Sequence, residues 1–211
     1  MSTQLSLRIH SVKCVDETGG SFAEHFGNDE IALGGMVLNA TGETTKVDPF
    51  WVYGSFDDGD VFVFPQPRVF HTFPLGTSFP VEFGCGLTVI EKDAGGAADA
   101  VAKLADYVEE QVKAHLPKAR DQRAMATPGS RAALAPLLSW AIGAAAPAVL
   151  SYLKNKLSAL FSDDVFRPQF TTVTIGSKDF TWSGSKVSAR KTLLFSDHGG
   201  KYEVVYDWAL N

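Results

Sequence analysis

Hydrophobic and polar positions alternate with a period of two through the first part of the chain, the pattern of strands with one buried face. Leu5, Leu7 and Ile9 alternate with Ser6, Arg8 and His10, and Val12 and Cys14 carry that strand to residue 15. Residues 31–38 form a second apolar run, in which Gly34-Gly35 predicts a bulge or a close approach of another backbone. Residues 50–56 predict a third strand. Asp57-Asp58-Gly59-Asp60 has the composition of a tight hairpin turn, and residues 61–64 answer it as the fourth strand. Pro65-Gln66-Pro67 is expected to stop that strand, and residues 68–73 and 80–90 are again strand-like. Short strands at regular spacing predict an all-β half of the sandwich type.

The period changes after Gly95-Gly96. Val101, Leu104, Ala105, Val108, Val112 and Leu116 share one helical face, while Asp99, Asp106, Glu109 and Glu110 fall elsewhere. Pro117 is expected to end this helix, and the polar residues 118–130, with Pro128-Gly129, to form an exposed connection. A second helical stretch over 131–161 has no charged side chain between Arg131 and Lys154, and Pro147 is expected to kink or break it. Strands return over 170–175, 186–195 and 201–210. Because strands both precede and follow the helices, residues 1–211 read as one mainly β domain. It is an antiparallel β-sandwich with an α-helical insertion near residues 96–162.

The formal net charge of −5 and the absence of a long basic stripe argue against nucleic acid as a partner. Cys14 and Cys85 both fall in predicted strands and read as buried thiols; two cysteines in 211 residues do not make a disulfide scaffold. The first residues carry neither a basic segment nor an apolar core of a secretory signal, so a cytoplasmic protein is the default expectation, with leaderless release as the other route. Catalytic signals are poor. The five histidines are scattered, and no nucleophile elbow, P-loop or dinucleotide fingerprint occurs, so a non-enzymatic role is expected.

Acidic residues cluster where strands begin and end: Asp16 and Glu17 after the first strand, Asp29 at the start of the second, Glu91 and Asp93 after residues 87–90. If these ends meet on one rim, their oxygens suit a hard cation, since Ca²⁺ takes six to eight oxygen ligands from flexible loops. Asp57-Asp58-Gly59-Asp60 is a turn rather than a calcium loop, because no closing glutamate follows and strands flank it. The order of the rim acids resembles the C2 domain, a calcium-binding β-sandwich that engages membranes. In that family an acid follows the first strand, another opens the next, and a later strand ends in Asp-x-Asp. The resemblance covers about the first ninety residues and extends in part to the last strands, and it implies that Asp16, Glu17, Asp29, Glu91 and Asp93 hold Ca²⁺. Glu91 departs from the family pattern, as do Glu30-Ile31 in place of Pro-Tyr and the helical insertion after Asp93.

The function expected is therefore a binding module, Ca²⁺-dependent if the rim binds metal, that engages a lipid membrane or a protein partner. The apolar stretch 132–161 supports two alternatives. One is a soluble pore-forming or membrane-inserting effector. The other is a structural subunit that buries the stretch in a homo-oligomer.

Overall fold

The computed structural model describes residues 2–18, 29–91, 96–125, 137–152 and 164–211. Among the described residues the elements follow one another as β1 (Gln4–Asp16), β2 (Asp29–Leu38), β3 (Thr44–Phe56), β4 (Val61–Pro74), β5 (Val81–Glu91), α1 (Ala97–Met125), α2 (Leu137–Tyr152), β6 (Asp164–Val165), β7 (Gln169–Ile175), β8 (Lys191–Asp197) and β9 (Gly200–Leu210). They build a mainly β, antiparallel sandwich with the helices inserted between β5 and β6. One sheet has the order β4-β1-β9-β8. The other has β3-β2-β5, with β6 and β7 both pairing with β5.

The alternation read along β1 is the face it buries. Leu5, Leu7 and Ile9 point into the core; a register shift at His10–Ser11 then changes the parity, so that Val12 and Cys14 face inward instead. An extra residue in one strand of an antiparallel pair does this without breaking the strand. Opposite, β2 and β5 supply Ile31, Leu33, Val37, Cys85, Leu87 and Val89, and the last strand adds Tyr202, Val204, Tyr206 and Trp208. The predicted close approach is present at Gly35, whose φ is +147°. Any Cβ there would collide with the carbonyl oxygen of Gly86, and the β2–β3 register shifts beside it.

The outer face of the β3-β2-β5 sheet is covered by the helices. Val101, Leu104, Ala105, Val108, Val112 and Leu116 of α1 are all buried, as the helical periodicity predicts. From α2, Leu138, Ala141, Ile142, Ala145 and Val149 join them over Met36 and Leu38. Each fully buried aliphatic side chain in such a layer contributes about 1.5–3 kcal/mol. Polar clasps fix the helices in place. Thr44 donates from both its backbone N–H and its hydroxyl to Glu109 Oε2, at 2.7 and 2.8 Å. Glu82 on β5 accepts the first two amides of α2, from Leu137 at 3.1 Å and Leu138 at 2.6 Å. A carboxylate there satisfies orphan N–H groups and complements the helix dipole.

Four expectations are corrected. Pro117 does not end α1, which runs on to Met125, and Pro147 does not break α2. Both prolines are exposed, as are Lys113 and Gly143 four residues earlier, so the carbonyls that lose a helical partner face water. Residues 118–125 are consequently helical, and residues 126–130 lie outside the described part. Pro65 and Pro67 do not stop β4, because it is an edge strand that, among the described residues, pairs on one side alone, with β1. Finally, Asp57–Asp60 is not a hairpin turn. β3 and β4 belong to different sheets, and the turn carries the chain from one to the other. Alternation reports which face is buried, not which strand lies alongside.

Candidate functional site

The acidic rim comes first, since the sequence points there. The β1 end, the β2 start and the β5 end do lie at one end of the sandwich: Glu91 pairs in register with Ile31, two residues beyond Asp29, and Asp16 pairs with Lys201. Of their side chains, that of Asp29 is engaged within the fold. Asp29 is buried and accepts from the Thr18 N–H at 2.8 Å, the Thr18 hydroxyl at 2.7 Å and the Tyr202 hydroxyl. It thereby ties the segment after β1 to β2, and β2 to β9 of the opposite sheet. The Glu17 amide donates to Asp58 Oδ1 at 2.9 Å, and Asp57 and Asp60 accept amides within their own turn. Asp93 lies outside the described residues. Among the described residues, no three His, Cys, Asp or Glu side chains converge as a metal-holding group.

The same network accounts for Cys14. Burial pushes its thiol up to about 11, against a bond from Tyr202, so the nucleophilic thiolate is suppressed at neutral pH. Burial also raises the thiol of Cys85, which is fully enclosed. Both cysteines are free.

A second polar cluster escaped the sequence reading. Arg8 on β1 grips Asp207 on β9 with two parallel bonds of 2.8 Å, and His10 Nε2 sits 2.8 Å from Asp207 Oδ2. Burial pushes the Asp207 carboxyl up, but the Arg8 and His10 bonds outweigh it and hold it below the ordinary carboxylate range. No serine, threonine or cysteine bonds to His10 among the described residues, so this is a cross-strand clamp and not a nucleophile–base pair.

A concave feature lies elsewhere among the described residues, on the flank where β7 and β8 end their sheets. A cleft of about 380 Å³ opens between the first residues of β7, the edge of β8 and the second half of α2. Val149, Pro168, Phe170 and Leu194 give it an apolar lining, with Arg167 and Ser196 at its polar side. Arg167 is held there by Asp197, whose Oδ2 accepts its Nε at 2.8 Å, and by the Ser196 carbonyl, which accepts Nη2 at 2.9 Å. Leu194 remains 48% exposed despite its size.

The backbone of β8 faces this cleft in a defined way. His198 and Gly199 have φ of 49° and 82°, the two left-handed positions of a type I′ turn, and they join Asp197 to Gly200. The residues flanking such a two-residue turn form a hydrogen-bonded pair. By alternation Phe195, Leu193 and Lys191 then bond to β9, while Ser196, Leu194 and Thr192 turn their N–H and C=O groups away from it. The bond from Arg167 to the Ser196 carbonyl confirms that direction. Among the described residues, β8 pairs with β9 alone. It is thus a free strand edge beside an apolar cleft.

None of these residues was among the candidates named from the sequence. A signal was nonetheless present: Leu193-Leu194-Phe195 places three apolar residues in succession in a strand, so at least one must face away from the core.

The two-sheet frame with its helical insertion contains nothing that identifies a C2 domain. No protein-family model matches the chain, and no curated protein and no solved structure is similar to it.

Proposed function

We propose that this protein is a non-enzymatic binding module that engages a protein partner at the β8 edge and its cleft, the partner contributing an extended segment. The observation that carries this reading is the coincidence of the two features: among the described residues, the outward backbone groups of Thr192 and Leu194 pair with no other strand, and they run beside an apolar cavity large enough for a bulky side chain. Strand addition uses that combination, with main-chain bonds giving affinity and pockets for alternate side chains giving specificity. The absence of proline and of any register shift in β8 favours the same role.

A Ca²⁺-dependent form of the module would rest on the rim acids, and Asp29, occupied by Thr18 and Tyr202, favours a structural role for them. For α2, packing over Met36 and Leu38 supports an insertion held by the sandwich. No helix among the described residues is long and apolar enough to cross a membrane.

The test is selection from a display library of random peptides on the immobilised protein. Enriched peptides should bind the native protein and lose about tenfold or more in affinity, roughly 1.4 kcal/mol, against Leu194→Asp. Leu194 is half exposed, so this variant keeps its fold, which a melting curve checks. Selection without enrichment, or peptides indifferent to Leu194→Asp, would sink the assignment of the site.

A further inference from the structure

The β8 edge continues backwards, along β9, into a basic run. Lys186 and Ser188 still bond to β9: the Leu210 amide donates to the Lys186 carbonyl at 2.8 Å, and the Ser188 amide to the Trp208 carbonyl at 2.9 Å. Lys186, Arg190 and Lys191 are all exposed, and none of them forms an ion pair among the described residues. The segment from residue 186 to residue 196 contains no acid, in a chain whose formal net charge is −5. Unpaired cations therefore gather along one strand edge of an acidic protein, and they adjoin the cleft end to end. Of the acids nearby, Asp197 is taken by Arg167 and Asp207 by Arg8 and His10, while Glu203 stands opposite Leu194, at the cleft end and not beside the basic run.

From this we infer that the segment received at β8 is acidic, with Asp or Glu residues lying over Lys186, Arg190 and Lys191 and apolar residues lying over Leu194 and the cleft. The inference rests on the binding reading above and names the chemistry of its partner. Charge complementarity is the argument for an acidic occupant, because rim charges of one sign steer an opposite-sign partner and reject a like-sign one. It also argues against a second copy of this chain. Two β8 edges joined antiparallel would set the basic run of each beside the other strand, with no acid in residues 186–196 of either to meet it. The partner is extended because the backbone groups on offer are those of a strand edge, spaced for another strand and not for a helix.

The experiment uses the peptides enriched from the random library. They should be rich in Asp and Glu at one end. Their affinity should fall about tenfold or more in the triple variant Lys186→Glu/Arg190→Glu/Lys191→Glu, and it should weaken as salt is raised, since exposed pairs are screened within about 8 Å at physiological ionic strength. Backbone amides of Thr192 and Leu194 should exchange more slowly in the complex, which reads strand addition directly and needs no variant. If the peptides are neutral or basic, or bind the triple variant as tightly, the acidic partner is wrong, while loss with Leu194→Asp still upholds the site. If both variants bind like the native protein, the site itself is wrong. A doubled molar mass in solution that Leu194→Asp returns to the monomer would give the edge to a second copy. Salt-sensitive sedimentation with phosphatidylserine vesicles, lost in the triple variant, would give it to a membrane. Either result overturns the proposal.

Discussion

The two flanks of the sandwich have the same construction and opposite finish. On one, the edge strands β3 and β4 face each other; on the other, β7 and β8 do. The β3–β4 flank is closed with aromatic side chains. Tyr53 stacks on Phe62 at 5.8 Å and meets Phe56 edge-on at 5.2 Å, Phe62 meets Phe64 at 5.0 Å, and Arg68 caps Phe50 at 4.2 Å. Its strand edges are also spoiled for pairing: β3 contains Pro49, β4 contains Pro65 and Pro67, and both carry register shifts. Natural edges are blunted in these ways because a straight free edge invites another strand. The β7–β8 flank has neither finish. Its gap is left as a cleft, and β8 runs regular and proline-free to its turn. The difference separates an edge kept from partners from an edge kept for one, although Trp51, Val61 and Val63 show that exposed apolar area is greater on the closed side. Exposure alone does not locate a site; concavity with usable backbone does.

Replacing Leu138 with Asp should have the largest effect. Leu138 is buried where α2 packs over Gly84 of β5 and Leu38, and a carboxylate there should cost about 4 kcal/mol or more, enough to unfold a marginal domain. Chemical denaturation measures it. A folded, unchanged variant would mean that α2 is not packed on the sheet.

Asp29→Asn comes next, at about 3 kcal/mol. Its amide would present a donor to a site already crowded with the Thr18 and Tyr202 donors. The loss should be the same with and without added Ca²⁺. A loss seen only in the presence of Ca²⁺ would return the rim acids to a metal-binding role and move attention from the flanks to the rim.

The flanks themselves are compared by truncation. Phe62→Ala should cost about 2 kcal/mol, because a part-buried ring leaves a gap in the closed flank. Leu194→Ala should cost less than about 0.5 kcal/mol, as a surface change does. Equal losses would erase the distinction between a filled flank and an open one.

The smallest effect expected is in the pH dependence of stability. Lys113, and then Thr44, hold the Glu109 carboxyl down to about 2, and Asp207 is lowered as well. Folded values below the unfolded ones mean that both groups stabilise above the ordinary carboxylate range. That contribution is lost as pH falls from about 5 through their folded values. Glu109→Gln should flatten the acid limb of a melting-temperature profile slightly, since the pair is largely exposed, and Asp207→Asn more strongly. Glu109 lies on α1, away from the cleft and from the 186–191 run, so Glu109→Gln should leave peptide affinity unchanged.

What could be read from the sequence was local. Period-two alternation marked the inward face of β1, and helical periodicity marked the face that α1 buries, because burial of one face imposes its period on the residues whatever lies opposite. The Gly34-Gly35 approach was legible for the same reason: only glycine leaves room for a backbone that close. Proline was misread at positions 65, 67, 117 and 147, since its cost depends on whether the freed backbone group faces water or a partner, and this is settled by tertiary position. Asp16, Asp29 and Glu91 do stand at strand ends, as the sequence indicated, but the bonds that enclose Asp29 could not be read from it. The donors of Asp29 come from Thr18 and from Tyr202, whose place beside it depends on β9 folding back next to β1. The cleft was not visible at all. It is made by residues near 149, 168 and 194, brought together only when the chain, after its helical excursion, lays β7 on one sheet and β8 on the other.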